Sequence, residues 1–278
     1  MITVEESYRH CVWISRARAR NFYYSFLLLP REKRLAMCAI YAFMRQCDDL
    51  SDEDSDGGVA AKRAALEQWR LELDSGVGSH PLWPAFHDTV ARYHIPPRYF
   101  HEMLDGVSSD LEAQRMATFE DLYRYCYHVA SVVGLTITHI FGFEEPKALA
   151  LAEQCGVAFQ LTNIVRDVKE DAALGRVYLP EDELRANHVT SIERPSPELT
   201  RLLESLGERA HAYYRASRPL LDLVHPDSRT ALWALMEIYH RLLVKIERGG
   251  YDVFTKRVRL SAFEKSAIVA RAWFSTPG

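Results

Sequence analysis

An all-α fold is what this 278-residue sequence predicts, on three observations. Apolar residues recur at three- and four-residue spacing over most of the chain, glycine and proline fill the breaks, and extended signals are few and short. The periodic segments are 31–52, 59–75, 97–115, 118–142, 145–171, 197–223 and 227–248. Asp56-Gly57-Gly58 separates the first two, and the glycines and prolines of Ser75–Pro84 end the second. Pro96-Pro97 opens the third, and Thr118 stands as an N-cap before the first-turn acids Glu120 and Asp121. Arg194–Pro197 precedes the sixth, while Arg176–Leu179 and Val253–Leu260 carry the extended signals. With no repeat, low-complexity tract or long linker, residues 1–278 read as a single domain.

Composition narrows the function. Hydrophobic residues make up 48% of the chain, ample for a large core. The net charge of −4 offers no basic field for nucleic acid. Five cysteines without a C-x-x-C pair fit a reduced, cytoplasmic protein. The N-terminus lacks a signal-peptide pattern, and no run of about 18 uncharged apolar residues occurs. The expectation is a soluble or peripheral protein that a greasy substrate can bring to a membrane surface. Histidine spacing gives no zinc motif.

The chemistry lies in two stripes. In the segment 31–52, Tyr41, Arg45, Asp48 and Asp52 fall within an arc of roughly 60° on a helix. Two carboxylates one turn apart suit Mg²⁺, which takes one or two carboxylates plus waters and phosphates. The arginine can grip a diphosphate with its planar fork. Taken alone, a solvated acidic helix end explains this stripe equally well. The second stripe favours the metal: Gln160, Asn163, Asp167 and Asp171 share one face of a helix otherwise fit for burial. Such side chains are costly to bury unless something binds them. Two acidic faces with the same Asp-x-x-x-Asp spacing point to helices that meet across a cavity and hold two or three Mg²⁺ ions.

At this point the residues resemble the squalene/phytoene synthase family, the head-to-head prenyl transferases. The likeness runs from Asn21-Phe-Tyr-Tyr-Ser-Phe26 through Asp48–Asp52 and Tyr125-Cys-Tyr127-His-Val-Ala-Ser-Val-Val-Gly134. It continues through Gln160–Asp171 with the tail Gly175-Arg-Val-Tyr178-Leu-Pro180, and ends at Tyr251–Arg257. Within the family, the two ends look most like bacterial presqualene diphosphate synthases of hopanoid biosynthesis. Asn21 departs from the serine usual there, and an amide can still donate a hydrogen bond.

The resemblance implies an isoprenoid-synthase-type bundle around a central cavity. It implies head-to-head condensation of two farnesyl diphosphates to presqualene diphosphate, with NADPH not expected. Asp48, Asp52, Asn163, Asp167 and Asp171 would hold Mg²⁺, with Gln160 beside them. Arg45 and Arg257 would grip diphosphate, while Arg166 is equally suited to that or to a structural salt bridge. Tyr41, Tyr127 and Tyr239 would flank an allyl cation by cation–π attraction, and Asn21, Phe22 and Phe26 would line the substrate site. Gly106, within a helix resembling the family's tunnel helix, offers room for a prenyl chain or a close helix contact. Squalene, dehydrosqualene or phytoene stand as other products. A non-catalytic assembly protein is disfavoured, since all four aspartates are present.

Overall fold

The structure, a computed structural model, describes residues 2–19, 22–52, 58–112 and 114–274, with Phe22, Asp52 and Phe274 described by their backbone alone. Helix α1 (Val4–Arg18) starts in a capping box: Thr3 Oγ1 accepts from the Glu6 N–H at 3.2 Å, and Glu6 Oε2 accepts from the Thr3 N–H at 2.9 Å. After the short α2 (Phe22–Phe26) come α3 (Arg31–Asp52) and α4 (Gly58–Ser75), close to the sequence expectation. The predicted break at Asp56-Gly57 lies outside the described residues. Helix α5 (Trp83–Arg92) was not expected, because Pro84 reads as a breaker. It instead occupies the first turn, where the missing N–H has no intrahelical partner to lose.

Helices α3, α4, α5 and α6 (Arg98–Ser109) bury an aromatic box centred on Phe43. Its ring stacks on Phe86 at 4.6 Å, meets Phe100 edge-on at 5.4 Å, and lies 6.0 Å from both Trp69 and Trp83. A second apolar cluster joins α7 (Phe119–Cys126), α9 (Lys147–Ala173), α11 (Pro197–Ser217), α13 (Pro226–Arg248) and α14 (Ala262–Phe274). Helix α9 has the length and hydropathy to cross a bilayer, yet it runs through the centre of the protein with most of that stretch buried.

Between α7 and α8 (Val132–Phe141) the predicted helix 118–142 widens into one π-helical turn, Tyr127–Ser131. Two glycines let this turn press against its neighbours. A Cβ on Gly156 of α9 would lie 2.4 Å from the Ser131 Cα, and one on Gly106 of α6 would lie 3.2 Å from the His128 backbone. Gly106 therefore serves helix contact rather than space for a prenyl chain. We expect Gly156→Ala to cost about 1–3 kcal/mol by overpacking. That is a fall of roughly 2–12 °C in melting temperature, read by circular dichroism. An unchanged melting temperature would mean that α9 can slide freely past the turn.

Other boundaries moved. The segment 97–115 is helical only to Ser109, and Pro219 separates α11 from α12 (Leu220–Leu223) in the segment expected to run 197–223. The extended signals form no strand among the described residues; Val177 makes a single bridge to Arg115. Helix α10 (Glu181–Ala186) follows Pro180.

Candidate active site

A cavity of about 310 Å³ lies between α3, α8, α9 and α13, with a polar end and an apolar end. Its walls follow from helical periodicity. Ala130, Val133, Ile137 and Phe141 form one apolar row down the π turn and α8. Opposite, the small residues Ala152 and Gly156 of α9 leave the space open, and Gln160 and Asn163 continue the same row to the mouth. Asn163 Nδ2 donates to Gln160 Oε1 at 3.3 Å. From α3, Asp48 stands across the mouth with Met44 below it. Of the two predicted stripes, Asp48 from one and Gln160 and Asn163 from the other line this cavity.

On α3, Arg45 is turned toward Asp49, with which it pairs, while Asp48 Oδ2 is 4.0 Å away. The sequence reading placed Arg45 in a row with Asp48 and missed Asp49. Arg45 Nε is buried with no hydrogen-bond partner, a donor available to an incoming oxygen. Burial raises the Tyr41 pKa, so its hydroxyl stays protonated. Tyr41 and Phe26 border a small void beside Met44, Val133 and Ile137, one layer behind the main cavity. Asn21 lies outside the described residues, as do the side chains of Phe22 and Asp52.

On α9, Asp167 is held by two guanidiniums. Arg166 Nε donates to Asp167 Oδ1 at 2.7 Å, Arg166 Nη2 pairs with Oδ2, and Arg257 reaches Oδ1 at 2.8 Å. Burial lifts the Asp167 pKa, but those bonds and charges outweigh it and hold the carboxyl below the usual range. Asp171, one turn on, behaves oppositely. Burial, then the Asp167 charge, push it to about 7, with Glu170 and Asp110 adding and Arg176 opposing. Glu170 Oε2 is buried with no hydrogen-bond partner. A second cavity of about 240 Å³, lined by Arg166, Arg257, Arg259 and Lys265, adjoins this helix and shares Tyr239 with the first. Tyr239 stacks on Phe159 at 4.3 Å, and burial raises its pKa to about 12.

The structure sets Tyr127 apart from this group: its hydroxyl donates to Glu102 at 3.0 Å, and it does not line the cavity. Tyr125, also outside that cavity, faces Asp110 instead. Its hydroxyl donates to Asp110 Oδ2 at 3.1 Å, Tyr178 donates to Oδ1 at 3.0 Å, and the two rings stack at 4.6 Å. Asp110 also raises the Asp171 pKa, so this buried pair of phenols borders the acidic group.

The donor set fits a hard divalent cation: carboxylate and amide oxygens, with Asp171 lifted first by burial and then by the Asp167 charge. Among the described residues no three acid, histidine or cysteine side chains form a closed cage. Mg²⁺ commonly uses one or two carboxylates and completes its shell with water and phosphate.

An apolar shaft with an acid and two amides at its mouth, beside a second cavity lined by guanidiniums, in an all-helical frame, belongs to the prenyltransferase class. The chain is a member of the squalene/phytoene synthase family, whose model matches residues 15–264. It is 34% identical to the phytoene synthase of Mycobacterium tuberculosis, over 99% of this chain and 93% of that protein. A dehydrosqualene synthase crystal structure superposes with a TM-score of 0.89 at 30% identity, covering 97% of this chain and 96% of the other. The squalene synthase HpnC from Alicyclobacillus acidocaldarius gives 0.82 at 28% identity, covering 89% and 95%. Enzymes of this family join two prenyl diphosphates head to head and generally depend on a divalent metal, and this chain is such a prenyltransferase.

Proposed function

We propose that residues 1–278 act as one catalytic unit that condenses two farnesyl diphosphates head to head to presqualene diphosphate. The depth of the cavity carries the chain-length part of this reading. From Asn163 to Ala152, α9 covers eleven residues, about 16 Å at 1.5 Å each. An extended hydrocarbon advances about 1.25 Å per bond. On the same estimate, the main chain of a farnesyl group spans about 14 Å and that of a geranylgeranyl group about 19 Å. The resemblance of both chain ends to presqualene diphosphate synthases supports the product. The phytoene synthases among the relatives support a second reading, in which the longer diphosphate is used.

In this reaction the C1–O bond of the first substrate breaks and pyrophosphate leaves with the electron pair. The double bond of the second substrate attacks the allyl cation, and loss of a proton closes the cyclopropane. Mg²⁺, two or three ions held by Asp48, Asp52, Asn163, Asp167 and Asp171, would supply the charge sink. Arg45 and Arg257 grip the diphosphates, with Gln160 at hydrogen-bonding reach of Asn163. A diphosphate that engages Arg257 releases Asp167 from one of its two guanidiniums, leaving Oδ1 with Arg166 Nε as its remaining partner. Tyr239, kept neutral by burial, flanks the cation and excludes water, and Tyr41 backs the wall one layer behind.

The test is incubation with farnesyl or geranylgeranyl diphosphate, with and without NADPH, followed by mass spectrometry. Presqualene diphosphate should accumulate even with NADPH. Turnover should stop on chelation by EDTA and return with Mg²⁺. Squalene formed in the presence of NADPH would overturn the product assignment, and preferential use of geranylgeranyl diphosphate would favour phytoene.

A further inference from the structure

We propose that the closed end of the cavity is a floor made by Phe141, pinned in place by Lys33, and that this floor sets the prenyl chain length. The inference rests on the prenyl-transfer reading and adds its specificity device. All the walls run between the same two ends. Asp48, Asn163 and Tyr239 lie at the mouth, while Phe141, Ala152 and Leu232 lie two to three turns away along their own helices. Phe141 is the last residue of α8 and is 2% exposed.

The floor is tied by a polar knot. Lys33, at the start of α3, donates from Nζ to the Phe141 carbonyl at 2.8 Å, to Asp227 Oδ1 at 2.6 Å and to Ser228 Oγ at 2.9 Å. Ser228 Oγ also donates to the Phe141 carbonyl at 3.0 Å. The His225 N–H donates to the Gly142 carbonyl at 2.9 Å, joining the chain just after α8 to the residue before α13. One ammonium group with its three donors thus fixes the near ends of α3, α8 and α13 relative to one another, and its side chain is only 13% exposed. None of these groups reaches the polar mouth. Their geometric effect is to stop the Phe141 backbone from moving outward, so a longer chain meets a wall that cannot yield. Lys33 is a positioning residue; Phe141 is the contact.

The experiment measures kcat/KM for geranylgeranyl and for farnesyl diphosphate in the wild type, Phe141→Ala, Lys33→Met and Lys33→Arg proteins. Wild-type turnover of either diphosphate, measured first, tests prenyl transfer itself; the ratio between them tests the floor. Phe141→Ala is expected to raise the geranylgeranyl-to-farnesyl ratio at least about tenfold, the discrimination a few buried carbons can give. Lys33→Met should shift the ratio the same way by a smaller factor, and Lys33→Arg should restore it. Leu235→Ala, which enlarges the shaft midway, should leave the ratio near the wild-type value. Phe141→Leu replaces the alanine variant if circular dichroism shows the latter unfolded. An unchanged ratio in the Phe141 variant, or an equal shift in Leu235→Ala, overturns the floor. An unchanged ratio in Lys33→Met overturns the pinning.

Discussion

Replacing Asp167 with alanine is expected to lower prenyl-diphosphate turnover at least about a hundredfold, the scale lost when one preorganised charge partner of a transition state is removed. Asp167 is the proposed ligand whose surroundings in the fold are most fully determined, with Arg166 and Arg257 on its two oxygens. The substitution removes a metal ligand and leaves two guanidiniums without their common counter-ion. Arg166 is 14% exposed, so the second effect should also reduce stability, by about 1–3 kcal/mol. Asp167→Asn also loses the charge but keeps the shape and an acceptor oxygen for the guanidiniums, so it isolates the electrostatic loss from the loss of packing. Single-turnover assays with Mg²⁺, paired with thermal melts, read both. Turnover near wild type in the asparagine variant would remove Asp167 from the metal-binding set.

Phe43→Ala is expected to give the largest loss of stability in the molecule, about 3–5 kcal/mol. Phe43 is fully buried and contacts aromatic rings from α4, α5 and α6 at once. The ring-sized hole cannot close without moving several helices, so little of the cavity term relaxes. The melting temperature should fall by roughly 6–20 °C. Because Asp48 lies only five residues further along α3, apparent Mg²⁺ affinity should weaken with it in any folded fraction. A loss below about 1 kcal/mol in urea titration would show that the box does not anchor α3.

The two polar stripes were legible because a helix face is a local property: spacing along the chain fixes angle around the axis. Segments 31–52 and 227–248 read correctly for the same reason, their periodicity being strong and their ends well marked. What escaped depends on contacts between distant residues. The Lys33–Asp227 pair spans 194 positions, and Arg259 and Lys265 line one cavity with Arg166 of α9 from an irregular segment and the start of α14. Helix α5 was hidden by a proline that starts it, and α1 lies among residues too evenly polar to show a clear period. Arg45 was placed by face in a stripe with Asp48, and its pairing with Asp49 depends on the rotamer, which spacing does not fix. Tyr127 was named on the resemblance alone, which says nothing of the π turn or of the bond to Glu102.

That π turn has a consequence for how such a fold can change over evolutionary time. It holds one residue more than an α-turn, and each residue of a helix is worth about 100° of rotation. Deleting a single codon within Tyr127–Ser131 would relax the turn and swing α7 around its axis relative to α8. Tyr125 would leave Asp110, and a neighbour would take its bearing. Gly106 and Gly156 make the bulge sterically permissible, so they also guard that frame. One inserted residue thus works as an indexing step, selecting which side chain is presented to the acids while the rest of the sequence stays as it is.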